Sequence, residues 1–166
     1  MKNHVLFTLL AGALVLTGCG KKDEAATTAP TSGTTPAAPA VAIIELTAND
    51  SMKYNQTHFE VSAGQEVKVT LTNMGTMPKV AMGHNFVLLK KGVDPKAFSD
   101  AAIMAVATDY VPAALADQVI AHTKLLGPKQ SDEITFKAPT EPGEYTFICT
   151  FPAHFLTGMK GVIVVK

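Results

Sequence analysis

Hydrophobic and polar positions divide the chain into three regimes. In residues 1–18, Met1-Lys2-Asn3-His4 is followed by the mostly apolar run from Val5 to Leu16. A positive start and about a dozen apolar residues predict a secretory signal, too short to span a bilayer. Residues 19–40 are rich in Thr, Ala, Pro and Gly, around the charged cluster Lys21-Lys22-Asp23-Glu24. They lack the apolar content to pack and predict a tether, reaching roughly 60 Å when extended and half that or less as a coil. From Val41 a period of two takes over. It predicts strands over Val41–Leu46, Phe59–Val61, Glu66–Thr72, His84–Leu89, Asp132–Lys137, Glu144–Cys149 and Gly161–Lys166. A Pro139-Thr140-Glu141-Pro142-Gly143 turn separates two of them. Many short strands between turn signals predict an all-β, antiparallel sandwich over residues 41–166. One stretch breaks the pattern. From Asp94 to Ala116 the chain is alanine-rich, with Asp94 placed as a helix cap and Pro95 as the first helical residue. Pro112 rules out one continuous helix, so a short helical insertion lying outside the sandwich is expected.

Composition narrows the chemistry. The 14 basic residues are all lysine and are balanced by 14 acids, so no strong field exists for nucleic acid. The absence of arginine argues against bidentate phosphate recognition. No glycine-rich phosphate loop and no Gly-x-Ser-x-Gly elbow is present. There are two cysteines. Cys19 ends Leu16-Thr17-Gly18-Cys19, which resembles a bacterial lipobox, where the thiol is acylated and the chain is cut before it. An ordinary signal cleaved near the same place would not need the complete pattern. The expected location is therefore extracytoplasmic or periplasmic, with a lipid anchor in a bacterial membrane. Cys149 is then the one thiol left in the mature protein, a liability in an oxidising compartment unless something occupies it. A metal would.

Around Cys149 the sequence reads Cys149-Thr150-Phe151-Pro152-Ala153-His154-Phe155-Leu156-Thr157-Gly158-Met159, and well upstream lies Met82-Gly83-His84-Asn85. A lone cysteine is usually a small buried hydrophobe, and a lone methionine is core filler. The combination differs: His84, then Cys149, His154 and Met159 in that order, is the ligand set of a type 1 (blue) copper site. Soft sulfur favours Cu(I) and imidazole suits both states, so the expected cofactor is one copper cycling between Cu(I) and Cu(II).

Longer segments resemble the azurins, bacterial blue copper proteins of the cupredoxin family. Asn49-Asp50-Ser51-Met52-Lys53-Tyr54-Asn55, Met82-Gly83-His84-Asn85, Ile120-Ala121-His122-Thr123-Lys124-Leu125-Leu126-Gly127, Cys149-Thr150-Phe151-Pro152 and Met159-Lys160-Gly161 carry the likeness. It implies a Greek-key sandwich of about eight strands with a helical flap. It also implies His84, Cys149 and His154 as equatorial ligands, Met159 as the long axial ligand, and the Gly83 carbonyl as a weak opposite axial oxygen. Asn85 and Thr150 would tie the ligand segments together. Met52, Met82, Phe151, Pro152, Ala153, Phe155 and Leu156 would form an apolar electron-transfer patch around His154, with Met77 as a further candidate. Partners would be redox proteins such as c-type cytochromes or terminal reductases and oxidases, met by a monomer. His58 and His122 are not ligands on this reading.

Three departures stand out. Ala42 and Gln65 lie where azurins carry a disulfide, and Asn73 stands where azurins often hold a titrating histidine. The loop from His154 to Met159 is one residue longer than in azurins and has the spacing of plastocyanins and auracyanins. Two other functions compete with electron transfer. A copper-delivery protein would offer repeated Met or His clusters, and here Met74-Gly75-Thr76-Met77 is unrepeated. A multicopper enzyme domain would need further pairs such as His-x-His, and the chain has none.

Overall fold

The computed structural model describes residues 40–166; the signal, Cys19 and the tether as far as residue 39 lie outside the described residues. The strands are β1 (Ala42–Asn49), β2 (Lys53–Tyr54), β3 (His58–Val61) and β4 (Glu66–Asn73). A single helical turn, α1 (Lys79–Met82), precedes β5 (Val87–Leu89), and α2 (Pro95–Ala102) follows it. Two 3-10 segments, Val106–Thr108 and Ala113–Gln118, lead into β6 (Val119–His122). The chain ends with β7 (Ser131–Lys137), β8 (Gly143–Ile148) and β9 (Lys160–Val165). One sheet has the order β2-β1-β4-β7 and the other β3-β9-β8-β5-β6.

Alternation places the core between the sheets. Ile44 and Leu46 of β1, and Val67, Val69 and Leu71 of β4, point inward and are at most 3% exposed. Opposite them Phe147 is wholly buried, with the rings of Tyr54, Phe86 and Phe59 at 5.4, 5.1 and 6.0 Å. Each such side chain contributes about 1.5–3 kcal/mol on burial. The insertion covers the outer face of the second sheet. Phe98 of α2 and Val111 pack with Val87, Leu89, Ile148 and Phe155 in a second cluster. This is why β5 is buried on both faces and shows no alternation. Asp94 caps α2 by accepting the Lys96 N–H at 2.9 Å, as the sequence predicts.

The architecture is the expected sandwich, with four differences of detail. The sheets are mixed rather than antiparallel: β1 pairs parallel with β4, and β3 with β9. The chain crosses between sheets at β2 and β3, so β4 returns beside β1 in the same direction; alternation reports the buried face, not the partner's direction. The strand predicted over His84–Leu89 begins at Val87, because the Phe86 N–H is taken by Thr123 Oγ1 at 3.0 Å and His84 makes only an isolated bridge to Leu126. Among the described residues nine strands form, the additional ones being the two-residue β2 and the weakly patterned β6. Cys149 lies just beyond the end of β8. Where azurins have their disulfide, the Gln65 side chain donates instead to the Ala40 carbonyl at 2.6 Å.

Candidate metal centre

Three ligand-bearing segments meet at one end of the sandwich. The first runs from α1 through Gly83 to His84. His84 is pinned by reciprocal backbone bonds to Leu126 at 3.1 and 2.8 Å. A Cβ on Gly83 would lie 2.8 Å from the Lys79 carbonyl and 2.9 Å from the Leu125 side chain, so the close packing of α1 itself requires glycine. The second segment carries Cys149, whose N–H donates to the Met159 carbonyl at 3.1 Å. The third is the loop from Phe151 to Met159, a coil of successive turns: His154 N–H to Phe151 O, Thr157 N–H to Ala153 O, Gly158 N–H to Phe155 O and Met159 N–H to His154 O. Ala153 and Gly158 adopt positive φ, 69° and 89°, to make these turns. Thr157 Oγ1 donates to the His154 carbonyl at 2.8 Å, and Lys53 Nζ donates to the Thr157 carbonyl.

The outcome is a cluster in which ring nitrogens of His84 and His154 and the sulfur of Cys149 lie within 4.8 Å of one another. His84, Cys149 and Met159 are wholly buried, and His154 is 1% exposed. Cys149 Sγ and His154 Nδ1 are 3.4 Å apart, and the two imidazole centroids 4.9 Å apart. Both ring nitrogens of His84 are sealed from solvent without a hydrogen-bond partner. An unpartnered buried polar group costs about 1–3 kcal/mol, and a bound cation would take up the one lone pair that the neutral imidazole offers. A soft thiolate and two imidazoles converging in a dry site fit copper.

Electrostatics agree. Burial pushes the Cys149 thiol up to about 12, opposed by the backbone N–H groups of Asn85 and Phe151. Burial and the neighbouring His84 bring His154 down to about 4. His84 is likewise lowered by burial, with Asp50 opposing. All three donors are therefore proton-poor or hold a proton that a metal would displace. Asn85 links the segments: its Oδ1 accepts the Thr150 N–H at 2.9 Å, its Nδ2 donates to Thr150 Oγ1 at 2.8 Å and to the Asp109 carbonyl at 3.1 Å, and its own carbonyl accepts Tyr54 OH at 2.5 Å. Asn73 is also fully buried, accepting from Gly75 N–H at 2.8 Å and donating to the Leu126 carbonyl at 3.3 Å. It ties the strand facing His84 in place and does not titrate.

The residues expected to form a surface patch separate into two groups. Leu156 is 68% exposed and Ala153 is exposed, while Pro152, Met52 and Met82 are half-buried. Two residues expected in the exposed patch, Phe151 and Phe155, are buried instead. Phe155 is 9% exposed and packs inward in the second apolar cluster, with Lys160 Nζ 5.0 Å above its ring, because the loop's turns rotate it away from Leu156. Phe151 is 7% exposed and packs between Tyr110 and His154, with centroids at 5.2 and 4.7 Å. Met77 is 40% and Met74 52% exposed. His58 and His122 do not join the cluster. The sequence reading missed Asp109, which bonds Asn85, and the exposed apolar side chains Val80 and Met104. A charged residue that acts through its backbone carbonyl leaves no pattern to find.

A two-sheet β-sandwich holding His, Cys and His at one end defines the cupredoxin class, and comparison with known proteins agrees. Residues 41–166 match the model for copper binding proteins of the plastocyanin/azurin family. The chain belongs to that family. It is 40% identical over 121 residues to azurin of Achromobacter denitrificans, covering 71% of this chain and 80% of that protein. It is 43% identical over 108 residues to outer membrane protein H.8 of Neisseria meningitidis, covering 64% of this chain and 58% of that protein. Among solved structures, auracyanin of Roseiflexus castenholzii superposes with a TM-score of 0.68 at 41% identity, covering 75% of this chain and 97% of its own. Auracyanin A of Chloroflexus aurantiacus superposes with a TM-score of 0.66 at 30% identity, covering 76% of this chain and 99% of its own.

The shifted donors set a proton count. Loading the metal-free protein with Cu(II) at pH 7 releases one proton per copper, from Cys149, since both imidazoles are lowered below the ordinary histidine range and are neutral there. Potentiometric titration checks this, and two or more protons at pH 7 would contradict it. The same shifts make the metal-free fold lose stability as pH falls. An unfolded histidine binds its proton below about 6.5, whereas folded His154 does so only near 4. The loss therefore runs between those values.

Proposed function

We propose that the chain is an extracytoplasmic electron carrier, tethered to a bacterial membrane through an acylated Cys19, that passes single electrons between redox proteins. The observation that carries this reading is the prearranged ligand set: the donors are held by hydrogen bonds from their own backbone segments, so little has to move when the charge at the centre changes. Bound copper supplies a one-electron couple. His84, Cys149 and His154 would hold it, with Met159 and the Gly83 carbonyl as weaker donors. Asn85 and Thr150 maintain the spacing between the His84 and Cys149 segments. Exposed Leu156 and Ala153, with half-buried Pro152, Met52 and Met82, give partners an uncharged surface next to His154. An exposed apolar surface of this kind suits a small, short-lived interface. The partners on this reading are c-type cytochromes or terminal reductases and oxidases, and the protein acts as a monomer and not as an enzyme.

Membrane attachment draws support from the lipobox-like Leu16-Thr17-Gly18-Cys19 and from the relative named outer membrane protein H.8. Stable anchoring needs more than a single acyl chain, which a diacylglyceryl thioether would supply. The exposure of Met74 and Met77 is the one observation that favours metal delivery instead.

Voltammetry of the copper-loaded protein should give a reversible one-electron couple, with no copper passing to a metal-free acceptor protein over many cycles. An irreversible couple, or rapid transfer of the metal, would favour delivery. Expressed from its full reading frame, the protein should partition with membranes and the Cys19→Ala variant should be released. Equal retention of both forms would refute the lipid anchor.

A further inference from the structure

Two consecutive residues between the two 3-10 segments of the insertion occupy the left-handed region, Asp109 at φ 55° and Tyr110 at φ 61°. Aspartate visits that region readily and tyrosine rarely, and such residues persist where their surroundings over-determine them. Here they do. The single Thr108 Oγ1 proton lies between the Ala105 and Val111 carbonyls, at 3.1 and 2.8 Å, and the Tyr110 N–H donates to the Ala105 carbonyl at 2.9 Å. The Tyr110 ring meets Phe151 edge-on.

This turn places both the backbone and the side chain of Asp109 against residues that flank the ligand segments. Its carbonyl accepts one Nδ2 proton of Asn85, whose other Nδ2 proton goes to Thr150 Oγ1. Its carboxylate accepts the Leu125 N–H through Oδ2 and Lys79 Nζ through Oδ1, both at 3.2 Å. Leu125 is the side chain pressed against Gly83, and it precedes Leu126, the backbone partner of His84. One residue thus touches what stands behind the His84 segment and behind the Cys149–Thr150 segment.

We propose that Asp109 is a positioning residue of the copper centre, the brace through which the helical insertion sets the placement of His84 relative to Cys149. The links to Leu125 and Asn85 carry the effect. The Lys79 pair is solvent-exposed, with side chains 44% and 40% accessible, and contributes little. The inference rests on the copper centre and not on the electron-carrier reading, so either can fail without the other.

The test uses the full chain in three variants. Asp109→Gly keeps the left-handed backbone and removes the carboxylate, Asp109→Asn keeps a side-chain acceptor oxygen, and Lys79→Gln removes only the ion pair. In metal-free Asp109→Gly, amide hydrogen exchange at Leu125, whose N–H loses its carboxylate acceptor, should accelerate roughly tenfold, the scale of one lost hydrogen bond, while Val67 and Val69 in β4 keep the parental rate. After Cu(II) loading the same variant should show a shifted thiolate charge-transfer spectrum. Asp109→Asn and Lys79→Gln should match the parent in both. Parental exchange at Leu125, or an unchanged spectrum, in Asp109→Gly would overturn the proposal. So would acceleration spread evenly over β4, which marks general destabilisation, or an Asp109→Asn variant as perturbed as the glycine one.

Discussion

The structure is organised around a buried imidazole sealed from water beside a thiol and a second imidazole. His84 has neither ring nitrogen paired, and within 4.8 Å lie the donor atoms of Cys149 and His154. Buried polar groups in folded proteins are almost always bonded. A cluster of three that leaves lone pairs converging on one point carries its cost as pre-organisation for a cation. The thiol adds the same message, since burial holds its proton near pKa 12 and only a strong Lewis acid displaces it at neutral pH. The sandwich makes the cost bearable. Phe86, Phe147 and the two inward faces of β1 and β4 form a core rigid enough to keep the three donors close without their partner.

Holding donors close is a job for backbone and polar side chains, and the fold divides it among three places. The Leu126 bridge fixes His84, the Asn85 amide fixes the start of the ligand loop at Thr150, and the loop's internal turns fix His154 and Met159. The longer loop stays ordered because Thr157 has work inside it, donating to the His154 carbonyl while its own carbonyl is held from outside by Lys53. Neighbouring hydrogen bonds in such a network are worth more together than apart, which explains why non-titrating Asn73 and Asn85 serve here as fully buried residues.

What was legible in the sequence is what leaves a local signature. Residue types with distinctive chemistry in a distinctive order marked the ligands, and alternation marked which residues of β1, β4, β8 and β9 face the core. The N-cap Asp94 was visible for the same reason, as a short-range bond between near neighbours. Direction of pairing was not legible, because β1 and β4 would alternate identically in either orientation. Nor was the fate of Phe155, an aromatic beside a surface leucine, whose inward turn depends on positive φ at Ala153 and Gly158 and on a helix some sixty residues upstream. Asp109 escaped because its contribution runs partly through a carbonyl oxygen that every residue possesses.

The claim that matters most is that the Cys149 thiolate would bind copper together with the two imidazoles. The electronic spectrum and the electron paramagnetic resonance of the Cu(II)-loaded protein test it together. The account predicts one copper per chain, an intense blue or green charge-transfer absorption with narrow copper hyperfine splitting, and loss of both in Cys149→Ser. A colourless Cu(II) adduct, or colour that survives in Cys149→Ser, would contradict it.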